Sequence, residues 1–224
     1  MVYGFDTSAS FGRFFPDGEF PDYEDQLKEQ FQEMSIKGQT EQKFFNEFRW
    51  AHSDNMHRGT DFIADDMLPK RFVLSKHYQS LADLIELGAG IAVTGRLRDL
   101  IERLEPGRHQ FWPVEIIQRS GEAYPSAYFF LRVLSQLDAF EKEKSDPTCW
   151  KKSLQNLKIA PPKEENARGI ALSRNVIAGH HIWRGFVSAE AGISGFDFYV
   201  SDTLKAAIDE AGFRTMPFYQ LKEV

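Results

Sequence analysis

One pattern occurs twice in this chain and restricts its fold more than any other feature. "VTGRLRDLIERLEPGRHQFWPV" runs from Val93 to Val114, and "VSDTLKAAIDEAGFRTMPFYQL" runs from Val200 to Leu221. Few residues are identical, yet each stretch reads as a strand end, a capped helix, a glycine stop and a second strand. Leu97, Leu100, Ile101 and Leu104 in one copy, and Leu204, Ala207, Ile208 and Ala211 in the other, follow i, i+3, i+4, i+7. That spacing puts one apolar stripe on one helix face. Thr94 and Ser201 stand where a side-chain oxygen can accept from a free backbone N–H. Gly107 and Gly212 stand where a left-handed residue stops a helix. Asp99 with Arg103, and Lys205 with Asp209, are i, i+4 charge pairs on the polar side.

The flanks agree. "GIAV" (90–93) and "GFDFYV" (195–200) read as strands entering the helices, and "HQFWPVEII" (109–117) and "FRTMPFYQL" (213–221) as strands leaving them. Both exit strands carry a proline, Pro113 and Pro217, which suggests edge or bulged strands. Elsewhere "RFVLS" (71–75) and "HHIWRGFVS" (180–188) read as strands, and "AYFFLRVL" (127–134) reads as a strand that could also open a helix. "DYEDQLKEQFQEM" (22–34) reads as an acidic helix, and "HYQSLADLIEL" (77–87) as a helix ended by Gly88. "EQKFFNEFRW" (41–50) suits strand or helix, with Phe44, Phe45 and Phe48 at helical spacing. Residues 135–146 are charged and become helical towards their end. Strands and helices are interspersed, so the expected class is α+β, with mixed sheets, packed helices and two strand–helix–strand units at about 90–117 and 195–221. No linker interrupts the chain, which predicts one domain over 1–224 with a less regular portion at 1–70.

Composition excludes several classes of function. A net charge of −6 lacks the basic face that nucleic-acid binding requires. It suits a basic protein partner. No apolar run reaches membrane-spanning length and no signal peptide opens the chain, which predicts a soluble cytoplasmic protein. Cys149 is the single cysteine, so no intrachain disulfide forms; beside Trp150 it reads as a buried small hydrophobe.

Candidate chemistry is sparse. Adjacent His180 and His181 on a strand point to opposite faces and cannot easily share a metal ion. No metal motif, phosphate loop or nucleophile elbow is present, and no cofactor is expected. His52 and His57, near Asp54, Asp61, Asp65 and Asp66, could form the acid–base site of a small hydrolase. The acidic groups Glu19, Asp22, Glu24 and Asp25, and Asp61, Asp65 and Asp66, are interleaved with Phe20, Tyr23 and Phe62. Acids mixed with aromatics suit a protein-binding edge.

"GIAVTGRLRDLIERLEPGRHQFWPVEI" (90–116) resembles the central motif of a bacterial immunity-protein family of polymorphic toxin systems, the eleventh Imm class, first catalogued as a domain of unknown function. The matching positions include Leu97, Leu100, Ile101, Glu105, Pro106, Gly107, His109, Gln110, Phe111, Pro113, Val114 and Glu115. "LDA" at Leu137–Ala139 and "VSDTLK" at Val200–Lys205 are similar to later family elements. Gly95 departs from the pattern, which often has an acidic or polar residue there. The resemblance spans about 70–220.

It implies a non-enzymatic antidote that binds a cognate protein toxin inside the producing cell. The motif residues act as framework, and no family active site is carried over. The expected toxin-binding residues are Glu19, Asp22, Tyr23, Glu24, Asp25, Asp61, Asp65 and Asp66, with Lys163, Glu164 and Glu165 of the loop "APPKEENARG". The competing readings are the His/Asp hydrolase at 52–66 and an orphan interaction module. Oligomeric state and the toxin's activity are not legible.

Overall fold

A computed structural model describes residues 1–5, 12–34, 42–88, 90–152, 157–159, 168–185 and 198–224. Two six-stranded mixed sheets dominate these residues. One contains β1 (Val2–Phe5), β8 (Gln136–Leu137), β11 (Ala171–Leu172), β12 (Ile182–Gly185), β13 (Phe198–Ser201) and β14 (Phe218–Glu223), in the order β11-β14-β1-β13-β12-β8. The other contains β2 (Gly18–Glu19), β3 (Arg71–Leu74), β4 (Leu84–Glu86), β5 (Ile91–Thr94), β6 (Gln110–Ile117) and β7 (Tyr128–Arg132), in the order β2-β3-β6-β7-β5-β4. A separate hairpin joins β9 (Trp150–Lys152) to β10 (Leu157–Ile159), and a short helix, α4 (Arg174–Ile177), lies between β11 and β12.

The repeated sequence pattern is a repeated topology. β5 leads through α3 (Gly95–Leu104) to β6, and both strands run antiparallel to β7, which lies between them. β13 leads through α5 (Asp202–Glu210) to β14, and both run antiparallel to β1, which lies between them. Each unit is therefore a strand–helix–strand crossover split by one inserted strand. α3 and α5 turn their apolar stripes on each other. Leu97, Leu100 and Ile101 share one buried cluster with Leu204 and Ile208. Burying a leucine or isoleucine stabilises by about 1.5–3 kcal/mol, whereas an i, i+4 charge pair contributes about 0.2–0.5 kcal/mol, so packing decides where these helices lie.

Strand alternation divides the rest of the core. In β5, Ile91 and Val93 face the shared cluster, while Ala92 faces a second one with Trp112, Val114 and Phe130. In β12, Ile182 faces the shared cluster and Trp183 a third, with Val2, Cys149 and Leu221. Both sheets are thus covered on both faces. Cys149 is fully buried, and burial pushes its thiol pKa up.

This two-sided burial explains the main departure from the sequence reading. Residues 77–87 do not form a helix; they run extended into β4. Leu84 enters the shared cluster and Ile85 and Leu87 the second, a division that period-two alternation provides and a single helical stripe cannot. Residues 135–146 give β8 and a 3₁₀ turn, Lys142–Lys144, in place of a longer helix. The ambiguous 42–50 stretch is helical, inside α2 (Gln42–Arg58).

The prolines need a finer statement than edge or bulge, because β6 and β14 are internal strands. The Glu115 N–H donates towards β3, to the Lys70 carbonyl at 2.8 Å. Pro113, two residues earlier, faces the same side, but the ladder to β3 covers only Glu115–Ile117. Pro217 precedes the first residue of β14. Neither position asks for the missing donor.

The helix ends follow the sequence only in part. Ser201 Oγ accepts from the Leu204 N–H at 3.1 Å, a regular N-cap. Thr94 makes no such bond; its hydroxyl donates to Asp83 Oδ1 at 3.0 Å, tying the helix start to the chain entering β4. Gly212 has φ +66°, and the Phe213 and Gly212 N–H groups donate to the carbonyls of Ile208 and Asp209, each at 3.1 Å. This double bond pattern is the Schellman stop, and the positive φ is what requires glycine. Lys205 pairs with Asp209, whereas Asp99 is held by its neighbour Arg98.

The end of α3 carries a buried carboxylate. Glu105 is 2% exposed. Its Oε2 accepts from His109 Nε2 at 2.9 Å and from the Ile182 N–H at 3.0 Å, and its Oε1 accepts from Arg108 Nη1 at 2.9 Å. The Leu134 N–H donates to His109 Nδ1 at 3.3 Å, which places the ring proton on Nε2. One carboxylate thus joins α3 and β6 of one sheet to β12 of the other. Burial pushes the Glu105 pKa up, but the His109 ring and the His181 and Ile182 amides outweigh burial and hold it below its ordinary value. His180 and His181 part as expected: His180 Nδ1 meets Arg108 at 3.1 Å, and His181 Nδ1 meets Ser201 Oγ at 2.9 Å.

Two outcomes are expected. Glu105→Gln lowers stability at neutral pH by about 2 kcal/mol, read from urea midpoints, because a charged acceptor becomes a neutral one. The Glu105 pKa is depressed, so its contribution is present above the ordinary value of 4.5 and lost as pH falls through the folded value. The gap between wild type and variant therefore narrows in acid; a constant gap would contradict the assignment. Ser201→Ala costs about 1 kcal/mol by the same measurement.

Candidate functional site

α1 (Tyr23–Met34) and α2 form a helical hairpin on the second sheet's outer side. Glu24 and Asp25 occupy the first turn of α1, where the helix dipole favours negative charge. Phe31 packs on Phe45 and Phe48 of α2 with ring centroids 5.7 and 5.4 Å apart, and Leu27 is buried.

The hairpin is lashed to the segment that follows it. Gln26 Nε2 donates to the Leu68 carbonyl at 3.1 Å and to that of Asp66, and the Tyr23 hydroxyl lies 3.2 Å from the Met67 carbonyl. The two acidic groups, forty residues apart in sequence, therefore come together. Asp22 pairs with Arg71 at 3.1 Å, Glu24 and Asp25 with Lys28 at 3.2 and 3.1 Å, and Asp65 with Lys70 at 4.0 Å. Arg49 lies 3.8 Å from Glu24. These exposed pairs contribute little to stability. Glu19, Asp61 and Asp66 are exposed as well. Lys163, Glu164 and Glu165 lie outside the described residues.

Between α1, α2 and the β4–β5 turn is a half-open cleft of about 430 Å³, lined by Phe20, Tyr23, Leu27, Trp50 and Met56, with Glu24 and Arg49 beside them. Trp50 is 69% exposed. It lies off the helical stripe set by Phe45 and Phe48, a placement that helical spacing alone already implies. Phe62, beside Asp61, is 64% exposed.

His52 also lines the cleft, but its partner is not an aspartate. Its Nε2 lies 2.6 Å from the Tyr23 hydroxyl. Burial pushes the Tyr23 pKa up and the His52 pKa down, so each side chain is held in its uncharged form. Asp54, Asp61, Asp65 and Asp66 are exposed and none is hydrogen-bonded to His52, so the His/Asp pairing expected of a hydrolase is not made there. The side chain of His57 lies outside the described set. Among the described residues no group of three His, Cys, Asp or Glu side chains could hold a metal ion, and no helix is long and apolar enough to cross a membrane.

Two arginines that no local sequence pattern singles out hold the end of α2 and the segment leading to the acidic turn. Arg132, at the end of β7, is 4% exposed. Its guanidinium donates to the carbonyls of Asn55 at 2.6 Å, Met56 at 3.3 Å and Asp61, and to Asn55 Oδ1 at 3.0 Å. Arg184 of β12, in the other sheet, donates to the Gly59 carbonyl at 2.7 Å. Burial, with the Arg132 charge beside it, pulls Arg184 down to about 10. Carbonyls at a helix C-terminus need donors, and arginine supplies several from one planar group. Arg132→Gln is expected to cost about 2–3 kcal/mol by leaving buried carbonyls without donors. Hydrogen exchange should rise first in residues 55–66, and uniform exchange across the chain would contradict this anchoring role.

The model of the immunity protein family (Imm11) matches residues 16–223. The match reaches beyond the 70–220 span of the sequence resemblance and takes in the acidic helical hairpin. A search of curated proteins gives no match. With nearly the whole length covered, the chain belongs to the Imm11 immunity protein family.

Proposed function

We propose that this chain is an antidote: a single-domain cytoplasmic protein that binds a cognate toxin made by the same bacterium and silences it. The observation that carries this reading is the family match over residues 16–223. The acidic, aromatic face built by α1, the 61–66 segment and the cleft beside Trp50 supports it, because exposed aromatics ringed by charge are typical of protein-binding surfaces. The mechanism requires no chemistry from the antidote. A bound protein of ordinary interface size can cover a toxin's active site or its substrate channel, and affinity then depends on a few well-buried anchors. The net charge of −6 would speed encounter with a basic toxin.

The test begins with the tagged chain and the protein it retains in stoichiometric amount from its native cells. That protein should kill a heterologous host when expressed alone, and co-expression of this chain should restore growth. Continued killing despite full antidote expression would remove the reading.

A further inference from the structure

The cleft is more specific than a general acidic face. Its lining is mainly apolar, and its two charged members, Glu24 and Arg49, pair with each other at 3.8 Å. The segments that adjoin it, 19–25, which supplies Phe20 and Tyr23, and 61–66, tied to α1 through Gln26, carry seven acidic residues, against four surface cations paired with them among the described residues, Lys28, Arg49, Lys70 and Arg71. Asp25 and Asp65 keep side-chain exposures of 78% and 86% despite their partners. Trp50 stands at the mouth, mostly in solvent, and burial of such a side chain at an interface would release far more free energy than any of these ion pairs.

Resting on the antidote reading, we propose that this cleft receives a basic segment of the toxin: one large apolar side chain, inserted against Trp50, Phe20 and Met56, with lysine or arginine residues on either side of it. A volume of about 430 Å³ accommodates one large side chain with room to spare. The apolar anchor supplies affinity, and the flanking cations meet the acidic rim, which steers encounter and fixes register. An acidic or wholly polar segment would meet repulsion at the rim and an unfilled apolar pocket at the centre. The arginine anchorage of residues 55–61 presents the rim as a preformed surface, so binding does not have to order it.

The experiment uses the purified toxin domain recovered above and the full chain. Trp50→Ala should weaken binding about thirtyfold or more, mainly through faster dissociation. The double variant E19K/D66K should slow association about tenfold at low salt, with the difference shrinking as salt rises. These side chains are exposed, so melting temperatures should match wild type. A photo-reactive benzoyl-phenylalanine at position 50 should crosslink to a toxin segment rich in Lys and Arg around an apolar residue, and the same group at Val176 should not. If wild type neutralises the toxin while both variants bind as tightly and as fast as it does, the cleft assignment is overturned and the antidote reading stands. Crosslinks to an acidic segment overturn it equally. If wild type neutralises nothing, both readings fall together.

Discussion

The Glu105 carboxylate is the point on which the two halves of this structure close. It sits where α3 ends, accepts from His109 as the chain turns into β6, and accepts from the Ile182 amide of the opposite sheet. A carboxylate with this little exposure would be costly to bury alone; here both oxygens are bonded. Apolar packing between α3 and α5 drives the two crossover units together but is not directional. The hydrogen bonds of Glu105 are directional, and they set one relative position of the sheets among those that packing would tolerate.

The same division of labour holds at the α1–α2 hairpin. Phe31, Phe45 and Phe48 give the hairpin its own apolar seam, but its attachment to the sheets is largely polar, through Gln26 and Tyr23 to the 66–68 backbone and through Arg132 and Arg184 to the backbone of 55–61. Side-chain donors reading backbone carbonyls impose no demand on which side chains the segment displays. A surface held in this way can change its exposed residues while keeping its shape.

Much of the fold was legible in one dimension. The apolar stripes of the two helices, the positive φ of Gly107 and Gly212, and the strands on either side of α3 stand as read, whereas the strand leaving α5 begins only at Phe218 and residues 195–197 of the strand entering it lie outside the described residues. Thr94 shows the limit of such reading: the residue type suits a cap, but Asp83 from a neighbouring segment takes its hydroxyl. Leu84 and Ile85 show another, because their apolar spacing satisfies a helix as well as a strand between two cores. The two acidic groups of the candidate site were visible as composition. Their meeting depended on Gln26 and Tyr23 finding backbone carbonyls forty residues away, and no local pattern announces such contacts.

What the sequence by itself determined is the pair of strand–helix–strand units and the stretch "EPGRHQF" that carries the family resemblance, because periodicity, caps and stops are properties of neighbouring residues. What only the tertiary structure decided is that the units face each other through their helices, that Glu105 bridges the sheets, that His52 belongs to Tyr23 and not to an aspartate, and that a cleft opens beside Trp50. Each of these rests on groups far apart in the chain, and burial and hydrogen-bond geometry select such pairings only once the chain has closed on itself.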